Sequence, residues 1–238
     1  MSSPLCLALD VHTLAEAQTL ATACAPHIGM LKVGLELFVS EGPKAVAELK
    51  ALGLPIFLDL KLFDIPTTVH RAAKSAAESG ASMITVHASG GREMMEAAIE
   101  GAGPDVIIVA VTVLTSMNDG DMHRVGIDRP VIQQVRKLGD LAKGTHVKGL
   151  VCAPVELQQM RGLFGPGITY ITPGIRGDEP VSSDDQKRTM KVDEAIKAGA
   201  DWLVIGRPIR DSKDPAATAA AMNAVAVDAL AKYRAPKA

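Results

Sequence analysis

Leu58-Asp59-Leu60-Lys61-Leu62-Phe63-Asp64-Ile65-Pro66-Thr67-Thr68 follows the apolar run Pro55 to Leu58. The run has the length of a buried strand. Asp59 and Lys61 are two apart, so on a strand they point to the same face. Asp64 lies where the strand gives way to a loop. A buried charge is very costly unless it is paired. Two acids and a base at a strand's end therefore point to a prepared electrostatic site and not to a packing element.

Outward from this strand, short apolar runs alternate with amphipathic ones along the whole chain. The pattern predicts strands at Leu5–Leu9, Met30–Val33, Ile56–Leu60, Met83–Val86, Val106–Val113, Val147–Cys152, Ile168–Ile171 and Leu203–Ile205. Between them it predicts helices at Thr13–Cys24, Pro43–Leu52, Thr67–Ser79, Arg92–Gly101, Val131–Ala142, Val155–Leu163 and Val192–Ala198, and a last one at Ala216–Tyr233. Alternation of this kind, without hairpin signals, implies a parallel sheet covered by helices. Eight such units in 238 residues fit an α/β fold of the closed (β/α)8 TIM-barrel type, one domain over 1–238, better than an open sheet. Glu78-Ser79-Gly80-Ala81-Ser82-Met83 and Lys197-Ala198-Gly199-Ala200-Asp201-Trp202 echo each other, each with a glycine where a helix stops ahead of a strand.

Composition narrows the function classes. The formal net charge of -2 gives no bulk attraction to nucleic acid or to a membrane surface. No apolar run approaches the roughly 20 residues of a membrane helix, and the N-terminus lacks the pattern of a signal peptide. Cys6, Cys24 and Cys152 form no CxxC pair, which argues for a reducing compartment and against a disulfide framework or a zinc site. A cytoplasmic protein is the expectation. The polar stretch from Arg176 to Arg188, after the seventh strand, is too long for a bare connection and reads as a lid.

In such barrels the active site lies at the carboxyl ends of the strands. Those ends carry Asp10, Lys32, Asp59 with Lys61 and Asp64, His87, Thr115 with Ser116, Arg176 and Arg207. Taken singly, each has a plainer use. Asp10 can cap a helix, Lys32 can snorkel to water, Thr115 and Ser116 can cap a turn, and His87 suits a hydrogen-bonded structural role better than a catalytic one. Together at one rim they are hard to explain by packing. The loops Thr172-Pro173-Gly174-Ile175-Arg176 and Ile205-Gly206-Arg207-Pro208 occupy the places where barrels often hold phosphate. Glycine lets backbone N–H groups approach an anion, and arginine offers a bidentate fork.

The run Asp59 to Pro66 resembles the signature of the orotidine 5′-monophosphate decarboxylases, the last enzymes of de novo UMP synthesis. The likeness extends, in order, to Leu7-Ala8-Leu9-Asp10, Lys32-Val33-Gly34, Val86-His87-Ala88, Val113-Leu114-Thr115-Ser116, Thr172 to Arg176 and Gly206-Arg207-Pro208, and is closest to the bacterial form. The resemblance implies that Lys61 protonates C6 of the pyrimidine as carbon dioxide leaves, that Asp59 lies beside the substrate carboxylate, and that Asp64 is supplied by a partner subunit. It implies that Lys32 completes the charge network and, with Asp10, contacts the ribose. Thr68 is expected to reach the partner's ribose site, Thr115 and Ser116 the pyrimidine edge, and Arg176, Gln186, Gly206 and Arg207 the phosphate and the lid. It further implies a small-molecule nucleotide substrate, a homodimer, no cofactor and no metal. Two rivals stay open: a Mg²⁺-dependent decarboxylase or aldolase of the same superfamily acting on a sugar phosphate, and a non-catalytic binder of phosphorylated ligands.

Overall fold

The computed structural model describes residues 3–177 and 188–234. Among these residues ten strands appear in chain order: β1 (Leu5–Ala8), β2 (Met30–Val33), β3 (Ile56–Leu62), β4 (Met83–His87), β5 (Ile107–Val111), β6 (Gly149–Val151), β7 (Thr169–Thr172), β8 (Ile175–Arg176), β9 (Met190–Lys191) and β10 (Trp202–Ile205). Eight of them close a parallel barrel in the order β1-β10-β7-β6-β5-β4-β3-β2. β8 and β9 form a small parallel ribbon outside it, pairing Ile175 with Met190 and Arg176 with Lys191. The expected lid over 176–188 falls mostly on residues 178–187, outside the described residues.

The helices of the alternating pattern are present, with ends shifted by a residue or two: Leu14–Cys24, Pro43–Lys50, Pro66–Glu78, Arg92–Ala102, Val131–Lys143, Leu157–Phe164, Val192–Ala198 and Pro215–Arg234. Thr13 begins the first of them by accepting from the Glu16 N–H, while the Glu16 carboxylate accepts from the Thr13 N–H. That reciprocal pair satisfies two of the orphan donors of a helix start. The echoed glycines do stop helices. Gly80 has φ 105° and Gly199 φ 118°, and strands resume at Met83 and Trp202.

Three strand expectations are corrected. β3 runs on to Leu62 instead of stopping at Leu60. β5 is shorter than Val106–Val113 and β6 shorter than Val147–Cys152, because the apolar character continues into loops that are themselves buried. Among the described residues, three short α-helices were not anticipated: Leu35–Glu41, Asp119–Arg124 and Arg207–Arg210. Each is two turns or less and lies inside a strand-to-helix connection.

Two apolar layers hold the barrel. The larger lies between strands and helices and takes Leu5, Leu7, Leu31, Leu58, Ile84, Leu150 and Leu203 from the outward faces. The smaller fills the barrel itself and is built from Cys6, Met30, Phe57, Met83, Val109 and Ile171. It plugs the lower half, so side chains two positions further along the same strands face upward into the mouth. Cys6, Cys24 and Cys152 are buried free thiols. Among the described residues no helix is long and apolar enough to cross a membrane.

Candidate active site

The upper tier of the barrel interior begins immediately above the plug. On β2, Lys32 follows Met30 on the inward face and is 7% exposed. On β3, Asp59 and then Lys61 follow Phe57. Asp10 stands just past the end of β1. Their charged groups alternate along one line. Lys32 Nζ is 3.0 Å from Asp10 Oδ1 and 3.5 Å from Asp59 Oδ2, and Lys61 Nζ is 2.8 Å from Asp59 Oδ1. Burial by itself raises the pKa of the Asp59 carboxyl, but the two ammoniums and hydrogen bonds from Lys61 and Thr85 outweigh it and hold the group below the ordinary carboxylate range. Burial likewise pulls Lys32 down, and Asp59 and Asp10 more than offset that, leaving it above the usual lysine value.

Two glycines make room for this line. A Cβ on Gly34 would stand 2.8 Å from Lys32 Nζ and 2.9 Å from Asp10 Oδ1. A Cβ on Gly206 would stand 3.3 Å from Asp10 Oδ2. Neither has a positive φ, so what each supplies is space. Arg210 clamps the same acid from behind, donating to the Asp10 carbonyl oxygen at 2.6 Å while its other nitrogens engage Asp211.

These groups open onto a cavity of about 890 Å³ at the carboxyl ends of the strands. The charged line forms its wall over β1 to β3. The wall over β5, β6, β7 and β10 is apolar, from Val111, Val113, Val151, Ile171 and Val204. Arg176 and Arg207 enter from the loops after β7 and β10, with Gly174 and Gly206 beside them. Such a site offers a flat apolar face for a ring, a fixed cation beside a carboxylate, and two guanidiniums for an anion.

Of the residues expected from sequence, Asp10, Lys32, Asp59, Lys61, Thr115, Arg176, Gly206 and Arg207 line this cavity together. Ser116 is exposed and not among the lining residues. Asp64 and Thr68 are exposed and do not face the cavity of their own chain; Asp64 Oδ1 accepts from the Ile65 N–H at 2.7 Å. Gln186 lies outside the described residues. His87 ends β4, half-buried, with its ring 5.7 Å from that of Phe63. Burial first, and then the Lys61 charge, lower its pKa, so its neutral form is favoured.

Sequence reasoning missed Thr85 and Arg210, and it quoted Gly34 and Arg188 without the roles the structure gives them. Arg188 pairs with buried Glu156 and donates to the Leu114 carbonyl oxygen at 2.9 Å, tying the foot of the β7 loop to the loop that carries Thr115. Thr85 had a readable signal: it is a polar residue on the inward face of an otherwise apolar strand, between Met83 and His87.

Residues 3–222 match the family model described as Orotidine 5'-phosphate decarboxylase / HUMPS family. A curated orotidine 5'-phosphate decarboxylase from Anaeromyxobacter sp. (strain K) is 50% identical over 94% of this chain and 98% of its own length. One from Thermobifida fusca is 45% identical over 94% of this chain and 96% of its own length. The crystal structure of orotidine 5'-phosphate decarboxylase from Lactobacillus acidophilus superposes with a TM-score of 0.83 at 32% identity, covering 94% of this chain and 99% of that one. The chain therefore belongs to the orotidine 5'-phosphate decarboxylase / HUMPS family.

Proposed function

We propose that this chain decarboxylates orotidine 5′-monophosphate to UMP in pyrimidine biosynthesis, in the cytoplasm and without a cofactor. The observation that carries the reading is the Lys61–Asp59 pair, 2.8 Å apart, set in the alternating line with Lys32 and Asp10 and facing a cavity flanked by two arginines. When the C6–carboxylate bond breaks, its electron pair stays on a ring carbon that delocalises it poorly. The Lys61 ammonium stabilises that density and passes a proton to C6. A cation at 4 Å in an effective dielectric of 20 is worth about 4 kcal/mol. The ion pair with Asp59 holds the cation ready before the reaction, so little reorganisation remains.

The rest of the acceleration comes from binding. Arg176 and Arg207, with Gln186, hold the phosphate; Asp10 and Lys32 hold the ribose; Thr115 and Ser116 meet the pyrimidine edge. Binding energy from these remote groups orients the ring over Lys61. Asp64 and Thr68 complete the site of a partner subunit in a homodimer. Phe63 and Ile65, 62% and 67% exposed, flank Asp64 and form an apolar surface for such a partner to cover.

The Mg²⁺-dependent alternative needs carboxylates as metal ligands. Of the carboxylates that line the cavity, Asp10 and Asp59 share the Lys32 ammonium instead. The deciding assay adds orotidine 5′-monophosphate to purified protein with a chelator present and follows its ultraviolet absorbance. Loss of substrate is expected. Turnover confined to sugar phosphates with Mg²⁺, or binding without turnover, overturns the reading.

A further inference from the structure

β3 does not run evenly past β4. Leu58 pairs with Ile84 and Leu62 with Val86, so Asp59-Leu60-Lys61 stand opposite Thr85 alone. The surplus forms a bulge, and Lys61 takes up φ 52°, in the left-handed region. A side chain as long as lysine persists there only where its surroundings impose it. A bulge also leaves backbone groups without ladder partners, and the Lys61 N–H is one of these.

Thr85 supplies the missing partner. Its Oγ1 accepts from the Lys61 N–H at 2.8 Å, and its hydroxyl donates onward to Asp59 Oδ1 at 3.0 Å. The same Oδ1 accepts from Lys61 Nζ at 2.8 Å. One hydroxyl thus closes a ring that contains the backbone of Lys61, its ammonium, and the carboxylate between them. Thr85 is fully buried and does not line the cavity. A buried hydroxyl costs stability unless it is paired, and both of its partnerships go to this one pair of residues. Its β-branched carbon restricts χ1, which keeps the oxygen aimed.

We propose that Thr85 is a positioning residue for the reaction: its hydroxyl fixes the left-handed turn at Lys61 and the Asp59 carboxylate together, and so sets the direction in which the ammonium points. The assignment rests on the decarboxylase reading above. Valine has the same shape without the hydroxyl, and serine keeps the hydroxyl without the methyl, so the two separate aim from packing.

The test measures kcat and KM for orotidine 5′-monophosphate in wild type, Thr85→Val, Thr85→Ser and Thr112→Val. Thr112 is a buried threonine on the chain just past β5, whose hydroxyl donates to the Val151 carbonyl oxygen. Misplacing a reacting group by about 1 Å costs roughly 100-fold. Thr85→Val should therefore lose roughly 10- to 100-fold in kcat with KM nearly unchanged. Thr85→Ser should recover most of that loss, and Thr112→Val should behave as wild type. If the valine variant does not fold, Thr85→Ala replaces it with the same expectation. A folded Thr85→Val enzyme with wild-type kcat, or equal losses in the valine and serine variants, overturns the assignment while leaving the decarboxylase reading standing. A wild-type chain inactive on orotidine 5′-monophosphate overturns both.

Discussion

The plug of the barrel and the tier above it are built from the same strand faces, two residues apart, yet they do opposite things. Met30 and Lys32 share a face of β2; Phe57 and Asp59 share a face of β3; Met83 and Thr85 share a face of β4. Below, the side chains meet each other and exclude water. Above, they meet as charges and hydroxyls over an open cavity. Inside the barrel, apolar packing belongs to the lower layer and the proposed chemistry to the upper. The two should therefore come apart under mutation, and the largest expected effects lie at the two extremes.

Lys61→Ala removes the proposed proton donor and leaves the plug intact. Turnover should fall by roughly 1,000-fold or more, with the thermal midpoint close to wild type and a product analogue still bound. Near-normal turnover would remove Lys61 from the mechanism. The same variant sharpens the dimer proposal. Mixed with Asp64→Ala, itself poorly active, it should regain about a quarter of wild-type activity, because half of the dimers are then mixed and each carries one whole site. No regain on mixing counts against sharing of Asp64 between subunits.

Met83→Ala is the opposite case. It truncates a side chain 1% exposed in the plug, and such truncations cost about 2–5 kcal/mol. Denaturant unfolding should show that loss, while kcat at a temperature where the variant is folded should stay within a few fold of wild type. A selective collapse of kcat would mean that the two layers are mechanically coupled.

The same contrast separates what could be read in the sequence from what could not. The barrel was legible because eight apolar runs alternate with helical ones and glycines such as Gly80 and Gly199 mark where helices stop. Asp10, Lys32, Asp59 and Lys61 were legible because charged residues at strand ends have no packing role. The bulge at Lys61 was not, since the two-residue period that put it on the face of Asp59 assumes a regular strand. Chain pairing across β3 and β4 makes the bulge, and its partner Thr85 lies 24 residues away. Arg210 was missed for a related reason: it acts on the backbone of Asp10, 200 positions distant, and leaves no local pattern. The short helix Arg207–Arg210 was hidden because four residues carry no period.

Arg207 tests the cavity at a distance from Lys61. Arg207→Ala removes a cation from the side of the cavity proposed to hold the phosphate, where a charge-assisted contact is worth about 1.5–3 kcal/mol. KM should rise roughly 10- to 100-fold, and kcat should fall less. The split matters more than the size. An unchanged KM would place the phosphate elsewhere, and an equal loss in kcat alone would make Arg207 part of the chemistry and not of the grip.

The smallest effect is expected from protons, and it bears on the boundary between the layers, where Asp59 sits directly above Phe57. Its folded-state pKa is depressed, burial being outweighed by Lys32, Lys61 and the two side-chain hydrogen bonds. The sign follows from linkage. Above the unfolded carboxylate value of about 3.9, the carboxylate is ionised in both states and its stabilising contribution is fully present. As pH falls from there through the lower folded value, the unfolded chain takes up a proton that the folded chain resists, and the contribution is lost. One proton limits the slope to about 1.4 kcal/mol per pH unit. Wild type should therefore lose stability below about pH 4 more steeply than Asp59→Asn, by up to that slope, and the two should run parallel from pH 5 to pH 7. Parallel curves throughout would mean that Asp59 keeps an ordinary carboxylate in the fold, and the tier above the plug would then lack the electrostatic preparation that distinguishes it.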